Sequence, residues 1–400
     1  MSTSTGSAAR TARAGRVPDV DLLVLGGGLA GLSLAERLAA APGARVSAAV
    51  LEARSVYADD RTWCFWRLAP HRYEALSASS WSRVMVRDGA REAVVDCAAT
   101  PYQMIPSIAF YQRAEQVIRA SAQATLKLGS GVPGAPQRDG DGWRVEAEDG
   151  QVWRARYVVD TRPPSTKPES ILWQSFIGDV VVADRDVFDP GVAVLMDFDD
   201  QCVDGVQFAY VLPTTPREAL VETTVFGVRG LSPRQLRERH DDVLRARVGE
   251  GGVSVRRSEH GVLPMGHAPA PARAGVVHAS LFHGGARAST GYAFTRVQAW
   301  ADECAAALLR GAPPTAPRPD PWPRRAMDEI FLRVLRARPE RGAAMLTRMF
   351  ARADGAGLVR FLSDAGGIVD SLSVMRSLPP GPFLRAAWQM MKGVPCRGGA

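Results

Sequence analysis

Three glycines near the start of the chain have the spacing of a nucleotide-binding loop. Gly26, Gly28 and Gly31 lie between a short apolar run at 21–25 and a segment with helical periodicity. The first glycine permits a tight turn, the second lets a pyrophosphate approach the backbone, and the third lets the helix pack on the strand. Glu52 ends the next predicted strand, 21 residues after Gly31, where a carboxylate can bind a ribose hydroxyl. Together these elements predict a dinucleotide site in a βαβ unit.

The order of later segments favours FAD over NAD as the dinucleotide. Buried strand patterns recur far along the chain, at 157–160 and 275–281, and the second is followed by Gly284-Gly285 and a helix. This layout is typical of glutathione-reductase-type flavoproteins, in which late strands return to the nucleotide domain. We therefore predict an α/β protein with a glutathione-reductase-type, Rossmann-like FAD-binding fold, in which Gly284 and Gly285 also contact the cofactor.

One arginine is a further candidate for cofactor binding. Arg113 lies early in the helix predicted at 112–122, and flavoproteins of this type place an arginine near the flavin or the pyrophosphate. A surface arginine would give the same pattern, so both interpretations stay open.

The same patterns divide the chain into segments. A strand-rich stretch with one charged helix at 233–248 separates the two parts of the predicted FAD-binding domain, and a Pro-rich linker precedes a helical end. We predict a disordered basic tail at 1–18, the FAD-binding domain at 19–165 and 263–312, a strand-rich substrate subdomain at 166–262 and a helical C-terminal region at 313–400.

Composition excludes several classes of protein. The 400 residues are 46% hydrophobic, which argues against wholesale disorder, and the formal net charge of +7 is too mild to require nucleic acid. The five cysteines include no Cys-x-x-Cys pair and the six histidines form no metal-ligand pattern, so we predict neither a disulfide scaffold nor a metal site.

No apolar run approaches the roughly 20 residues of a membrane-spanning helix. We predict a cytoplasmic protein, free or resting on a membrane.

A series of short strings resembles lycopene cyclases, and the strings occur in the same order as in that family. The similarity runs over most of the chain, and its order is more specific than any single element. The resemblance also implies that Thr290 and Gly291 contact the cofactor. The matching strings are Arg61-Thr62-Trp63-Cys64-Phe65-Trp66, Val158-Val159-Asp160-Thr161-Arg162, Trp173-Gln174-Ser175-Phe176-Ile177-Gly178, Leu195-Met196-Asp197, Phe208-Ala209-Tyr210-Val211-Leu212-Pro213, Gly261-Val262-Leu263-Pro264-Met265-Gly266 and Ala288-Ser289-Thr290-Gly291-Tyr292.

The resemblance implies a catalytic acid. The family's acidic motif is Leu-x-Glu-Glu/Asp-Thr, whose first Glu is held to protonate the polyene, and Glu222 occupies that position in the string Leu-Val-Glu-Thr-Thr. Thr223 replaces the second acid of the motif. Either one acid suffices or Asp197 supplies the second charge, so we expect Glu222 and Asp197 to be the catalytic residues.

The chemistry of ring closure independently requires a buried acid and aromatic side chains around it. Protonating an unactivated alkene requires a carboxyl whose pKa is raised by burial, and aromatic faces can stabilise the carbocation that forms. Ordinary core packing is the alternative explanation for each aromatic residue. The aromatic candidates for substrate binding are Trp63, Phe65, Trp66, Trp173, Phe176, Phe208 and Tyr210.

The resemblance further implies a redox-neutral isomerisation that closes rings at the ends of lycopene. β-Ionone rings are the preferred product, because ε and γ rings are less common in the family. Reduced FAD would act as an electrostatic or acid/base partner, and NAD(P)H would supply its electrons. Two alternatives stay open: an FAD-dependent monooxygenase or prenyl reductase of the same fold, and a non-catalytic carotenoid-binding protein.

The C-terminal region is a candidate for membrane contact. Apolar residues recur at i, i+4 spacing between Ile330 and Phe350, with arginines interleaved. Such a basic amphipathic helix can lie on an anionic bilayer, where lycopene dissolves, and would make the protein peripheral. A helix packed in the core with solvated arginines fits the pattern equally well. The interleaved arginines are Arg333, Arg336, Arg338, Arg341 and Arg348.

Overall fold

In the computed structural model, strands are interspersed with helices up to residue 278, and the elements from residue 294 onward in the described ranges are helices. The residues described are 18–43, 45–89, 91–165, 168–198, 205–249, 251–266 and 275–394. The predicted basic tail at 1–18 lies outside these residues except for its last position.

The strands in these ranges are β1 (Val20–Leu25), β2 (Ala48–Leu51), β3 (Thr62–Trp66), β4 (Ser79–Trp81), β5 (Arg83–Asp88), β6 (Arg91–Asp96), β7 (Tyr102–Pro106), β8 (Ala124–Lys127), β9 (Gln137–Asp139), β10 (Gly142–Glu146), β11 (Val152–Asp160), β12 (Leu172–Ala183), β13 (Ala193–Asp197), β14 (Gly205–Pro213), β15 (Glu218–Gly227), β16 (Val253–Met265) and β17 (Val276–His278). The α-helices are α1 (Leu29–Ala39), α2 (Ser107–Arg119), α3 (Pro233–Val248), α4 (Phe294–Leu309), α5 (Trp322–Ala337), α6 (Gly342–Arg352), α7 (Gly355–Leu362), α8 (Ile368–Ser377) and α9 (Pro380–Met391).

The first sheet is built around β1, the strand that precedes the glycine loop. Its order is β8-β2-β1-β11-β10-β9, with β17 also paired to β11. The strands β8, β2, β1, β11 and β17 run parallel. Residues 22–25 are fully buried, as expected for a parallel strand that is covered on both faces. Both late segments, 157–160 and 275–281, contribute strands to this sheet, so the predicted return of the chain to the nucleotide domain is confirmed.

The second sheet is longer and mostly antiparallel. Its order is β16-β12-β15-β14-β13-β5-β6. Helix α3, which has the bounds predicted from the sequence, packs on one face through Val243 and Leu244. The helices α5 and α6 lie over the other face. The strands β5 and β6 come from the segment predicted to belong to the FAD-binding domain, so the second sheet draws on two of the predicted segments. The strands β3, β7 and β4 form a small third sheet.

A buried ion pair fastens the C-terminal helices to the rest of the protein. Arg287, in the loop after β17, is 2% exposed, and its guanidinium donates to the carboxylate of Asp328 on α5 at 3.0 Å. The same guanidinium donates to the carbonyl of Phe361 on α7. Arg296 of α4 pairs with Asp364, just beyond α7. These contacts hold α5 and α7 against the domain of the first sheet.

Two arginines of the predicted amphipathic helix bond to other groups of the protein. Arg333 pairs with Glu329 at 2.7 Å, and Arg336 donates to the carbonyl of Ile171 at 2.9 Å. Leu335, on the same helix, is 1% exposed, so α5 packs in the core. Among the helices described, none combines the length and the apolar character needed to cross a bilayer.

Candidate active site

A continuous cavity of about 1030 Å³ joins the two sheets and the C-terminal helices. Residues 28–30, at the start of α1, line one end of the cavity. The face of the second sheet turned toward α5 lines its middle, and Phe350 and Phe383 line it near the C-terminal helices. The cavity therefore brings the glycine loop, the candidate acid and an apolar helical cover into one space.

The three glycines have the different surroundings that the motif requires. Gly26 has a φ of +97°, a conformation that favours glycine. A side-chain carbon at Gly31 would lie 2.0 Å from the carbonyl oxygen of Gly26, so it would push α1 away from β1. At Gly28, which lines the cavity, the corresponding position has no described atom within 4 Å. The first and third glycines are structural, and the second faces space for a ligand.

Glu52 places a carboxylate beside this loop. It accepts hydrogen bonds from the N–H of Gly27 at 2.6 Å and from the guanidinium of Arg54 at 2.9 Å. Burial alone would raise the pKa of Glu52, but the hydrogen bonds from Arg54 and Gly27 outweigh it and lower the pKa. An ionised acceptor at the end of β2 fits the predicted contact with a ribose hydroxyl.

The other predicted cofactor residues lie in different places. Thr290 and Gly291 line the cavity. Gly284 and Gly285 form the turn after a short 3-10 helix at Leu281–His283 and do not line the cavity. Residues of this helix and Ser280, which precedes it, line the cavity instead.

Arg113 points to a different partner. Its Nε donates to the Glu36 carboxylate of α1 at 3.0 Å, and its guanidinium lies over the ring of Tyr73. Glu36 also accepts a hydrogen bond from the Tyr73 hydroxyl at 2.6 Å. In this geometry Arg113 joins α2 to α1 rather than lining the cavity.

Glu222 belongs to a row of paired residues that crosses four strands of the second sheet. Tyr210 on β14 pairs with Glu222 on β15, Glu222 with Gly178 on β12, and Gly178 with Glu259 on β16. Paired residues on neighbouring strands share a face, so both carboxyls lie on the cavity side, two strand spacings or about 10 Å apart at Cβ. A side-chain carbon at Gly178 would come within 3.3 Å of Glu222 Cβ, so the glycine keeps the space between the acids open.

The Glu222 carboxyl is held in its protonated form. It accepts a hydrogen bond from the Thr224 hydroxyl at 2.5 Å, and its residual exposure is toward the cavity that it lines. Burial and, secondarily, the negative charge of Glu259 raise the pKa of Glu222 to about 8. At neutral pH this carboxyl carries a proton, which is the form that a general acid needs.

Glu259 differs from Glu222 because a cation lies beside it. Its carboxylate accepts hydrogen bonds from the Thr62 hydroxyl at 2.8 Å and from the Arg257 guanidinium at 2.5 Å. Arg257 also pairs with Asp59 at 2.8 Å. Sequence reasoning missed Glu259, although an acid inside a strand-like segment, two positions before the Gly-Val-Leu-Pro string, was a usable signal.

Thr223, which replaces the second acid of the family motif, points away from the cavity. Successive residues of a strand face opposite sides, so Thr223 lies on the α3 side of the sheet when Glu222 lies on the cavity side. There its hydroxyl lies 2.9 Å from Nδ1 of His240. An acid at this position could not share the cavity with Glu222 in this register, and its absence does not change the cavity.

Asp197 also lies on the α3 side. It pairs across the strands with Ala209, a residue of the cluster beneath α3, and its carboxylate is bound by Arg87 and by Arg247 of α3. Burial opposes ionisation, but the two arginines lower the pKa of Asp197. The structure therefore does not bring Asp197 to Glu222. Asp60, Glu259 and Asp328 also line the cavity, and of these three Glu259 is the one in the cross-strand row of Glu222.

The predicted aromatic residues separate by the face on which they lie. Trp63, Phe176, Phe208 and Tyr210 line the cavity. Trp173 lies three positions before Phe176 on β12 and therefore faces the opposite side of the sheet.

Two other predicted aromatic residues are core residues. Phe65 stacks on Phe294 with ring centroids 4.6 Å apart, in the cluster around α1 and α4. Trp66 is 2% exposed in the cluster beneath the C-terminal helices. Phe65 and Trp66 are therefore explained by core packing, the alternative that the sequence left open.

Three tyrosine hydroxyls form a polar but uncharged group in the cavity. The Tyr102 hydroxyl lies 2.9 Å from that of Tyr210 and 3.4 Å from that of Tyr292, and all three residues line the cavity. Burial raises the pKa of each phenol, so all three are neutral near pH 7. Sequence reasoning found Tyr210 alone, because the other two lie on β7 and in the loop before α4.

Several solved structures share this architecture, and some of them are flavoproteins or were solved with FAD. A geranylgeranyl bacteriochlorophyll reductase-like protein from Thermoplasma acidophilum aligns with a TM-score of 0.59 at 12% identity, covering 94% of this chain and 99% of its own. The p-nitrophenol 4-monooxygenase of Pseudomonas putida DLL-E4 aligns with a TM-score of 0.54 at 15% identity, covering 95% and 99%. Aklavinone-11 hydroxylase, solved with FAD and aklavinone, has a TM-score of 0.56 at 15% identity, covering 74% and 63%. The fold is therefore that of FAD-binding flavoproteins, as predicted.

Sequence comparison defines the family within that fold. The profile of the lycopene cyclase protein family matches residues 21–388, and the chain belongs to this family, which confirms the resemblance of the ordered strings. A lycopene beta-cyclase from Paracoccus sp. (strain N81106 / MBIC 01143) is 30% identical over 234 residues. That alignment spans 53% of this chain and 58% of the relative, so it covers little more than half of either protein.

The raised pKa of Glu222 predicts a pH-dependent contribution to stability. The folded-state pKa of about 8 exceeds the ordinary value of 4.5, so the stabilising effect of the proton is complete below pH 4.5 and is lost as pH rises through 8. In Glu222→Gln the side chain does not titrate. The free energy of unfolding of the wild type minus that of Glu222→Gln should therefore fall between pH 5 and pH 8, by at most about 1.4 kcal/mol per pH unit.

Denaturant unfolding of both apo-proteins across this pH range measures the difference. Groups common to both proteins cancel, so the subtraction isolates residue 222. A difference that stays constant with pH would show that Glu222 titrates normally in the folded protein.

Proposed function

We propose that this protein closes rings at the acyclic ends of lycopene by proton transfer from Glu222, with β-ionone rings as the product. The observation that carries the proposal is the position of the Glu222 carboxyl, on an aromatic-lined face of the cavity that also reaches the glycine loop, where burial raises its pKa to about 8. Family membership supports the substrate class, and the geometry supports the acid.

The cavity residues fit each requirement of the reaction. The Glu222 carboxyl donates its proton to an end-group double bond, a carbon–carbon bond closes the ring, and one proton then leaves a ring carbon. The Glu222 carboxylate left by the first transfer takes up this proton, so the acid is regenerated and the reaction is an isomerisation without net oxidation or reduction. The carboxylate of Glu259 and the rings of Phe176 and Phe208 can stabilise the positive charge between these steps. The apolar cover formed by the C-terminal helices excludes water that would trap the cation.

FAD is the cofactor that we propose, with NAD(P)H as the source of its electrons. The residues available to hold it are Gly28 with the N–H groups that follow it at the start of α1, Glu52, Thr290 and Gly291. When bound in its reduced form, FAD would supply an electron-rich ring system beside the cation. Because the isomerisation consumes no electrons, NAD(P)H serves only to keep the flavin reduced.

We also propose that the protein works in the cytoplasm as a peripheral membrane protein. Lycopene dissolves in bilayers and not in water, so the enzyme has to meet its substrate at a membrane. No helix among the described residues is long and apolar enough to cross a bilayer, and we propose that the contact is with the bilayer surface.

Glu222→Gln tests the acid. The amide keeps the shape of the side chain but cannot deliver a proton to carbon, so ring formation should fall by roughly 100-fold or more while FAD content stays near wild type. Glu218→Gln, on the same strand and paired with Arg256, is the matched control and should remain active. Pigment analysis in a lycopene-accumulating bacterium measures the product. If Glu222→Gln leaves ring formation unchanged, another residue is the acid. If neither protein forms cyclic product, a carotenoid-binding protein is favoured.

Glu259→Gln tests the electrostatic partner. Removing this charge should lower the pKa of Glu222, because the repulsion that helps to hold its proton is lost and Arg257 is left beside the cavity. The alkaline limb of the activity profile should therefore move to lower pH, whereas Glu218→Gln should leave it in place. The pH profile of purified enzyme with reduced FAD gives the shift. If the alkaline limb does not move, Glu259 does not influence the pKa of the catalytic acid.

Gly28→Val tests the cofactor site. The backbone at Gly28 has φ −83° and ψ −164°, which valine can adopt, and its side chain would project into open space. The apo-protein should therefore fold normally but lose FAD, since the side chain occupies the place of the phosphates. Gly134→Val, where a side-chain carbon also meets no described atom, should retain FAD. Retained flavin in Gly28→Val would contradict the placement.

The consumption of NADPH separates the remaining alternatives. A cyclase should work with dithionite in place of NADPH and use no reductant per ring. Stoichiometric loss of NADPH with product would instead indicate a reductase or a monooxygenase.

A further inference from the structure

Apolar side chains concentrate on the surface of the last two helices. Half of the sixteen large apolar side chains that are exposed in the described ranges lie between residues 368 and 394. Spacings of four and then three residues align most of them along one face of each helix. They are Ile368, Val369, Leu372 and Met375 on α8, Leu384, Trp388 and Met391 on α9, and Val394 just beyond it.

The same two helices form one end of the cavity. Met375 and Leu384 line the cavity and are also 56% and 69% exposed. Phe383, next to Leu384, lines the cavity and packs against Phe331 of α5 with ring centroids 6.5 Å apart. The cavity therefore opens to the outside through the apolar surface of α8 and α9.

The exposed charges on these two helices and at their ends have one sign. Arg376, Arg385 and Lys392 are exposed on these helices or at their ends, and Asp370 is the one acid between residues 368 and 394. Asp370 is buried and pairs with Arg360 at 2.6 Å. An apolar surface bordered by cations complements an anionic bilayer, whereas a symmetric contact with a second copy would bring the cations together.

We propose that this α8–α9 face docks on the surface of an anionic lipid bilayer, and that the substrate enters the cavity between Met375 and Leu384. The identity of the substrate as lycopene rests on the proposed function, while the docking does not. Trp388 suits this position, because the Lys392 ammonium lies 3.7 Å from the centre of its ring. An indole with a cation above it presents an apolar body and a charged end at the depth of the lipid head groups.

Sedimentation of the full chain with vesicles tests the docking surface. Vesicles of phosphatidylcholine with phosphatidylglycerol are compared with vesicles of phosphatidylcholine alone. Trp388→Ser/Met391→Ser should weaken binding to the mixed vesicles by roughly tenfold or more, because two exposed anchors outside the cavity lining are lost. The matched control, Val253→Ser/Val255→Ser, removes exposed apolar side chains from the far end of β16 and should bind like the wild type.

The charges are tested in the same way. Arg385→Gln/Lys392→Gln should weaken binding to the mixed vesicles by roughly 30-fold and leave binding to phosphatidylcholine vesicles unchanged. Unchanged vesicle binding by Trp388→Ser/Met391→Ser would overturn the proposal. A change in its oligomeric state without a change in vesicle binding would also overturn it, and would assign the surface to a second copy of the chain.

Activity measurements separate this inference from the proposed function. With lycopene dispersed in detergent, Trp388→Ser/Met391→Ser should form cyclic product like the wild type, and with lycopene in vesicles it should form less. If the wild type forms no product in either assay, the proposed function fails while sedimentation still decides the docking surface.

Discussion

The Glu222 carboxyl is buried on a sheet face that also carries the charge of Glu259, and no cation of the described residues is paired with it. Removing a carboxyl from water is unfavourable unless it keeps its proton, and a second negative charge nearby makes ionisation more costly still. The sheet meets this constraint by placing Gly178 between the two acids and Arg257 beside only one of them. Because of this asymmetry, Glu222 keeps its proton while Glu259 carries a negative charge.

The burial of the sheet face that carries Glu222 depends on a cover that the sheet itself does not supply. Helices from α5 onward form the cover, and the buried pair between Arg287 and Asp328 anchors it. A buried ion pair contributes little net stability, but breaking it leaves a charge without a partner, so it fixes the position of α5. The loop that carries Arg287 also places Thr290 and Gly291 in the cavity lining. One segment therefore sets both the cover over the acid and part of the proposed cofactor contact.

Sequence patterns predicted the features that neighbours along the chain determine. The βαβ unit and the bounds of α3 follow from runs and spacings that can be read directly, whereas the candidate acid Glu222 follows from the resemblance of its string to the family's acidic motif. Asp197 and Trp173 lie in strands that the patterns also indicated, but their side chains face away from the cavity. The face and the partners of a strand residue depend on register between strands distant in the chain, and a single sequence does not specify that register. Glu259 could have been noticed as an acid within a strand-like segment, but only its pairing with Gly178 places it in the row of Glu222.

An enclosure that keeps the Glu222 carboxyl protonated also limits how the cavity can be reached. A hydrated channel to the acid would restore the solvation whose loss raises its pKa, so the route for an apolar substrate has to be apolar along its length. The lining meets this requirement toward α8 and α9, where Met375 and Leu384 continue it onto the surface. The other end is formed by the glycine loop at Gly28, whose backbone N–H groups suit an anionic ligand. The two ends of one cavity thus suit the two ligands that we propose, a dinucleotide at one end and a polyene drawn from lipid at the other, with the acid between them.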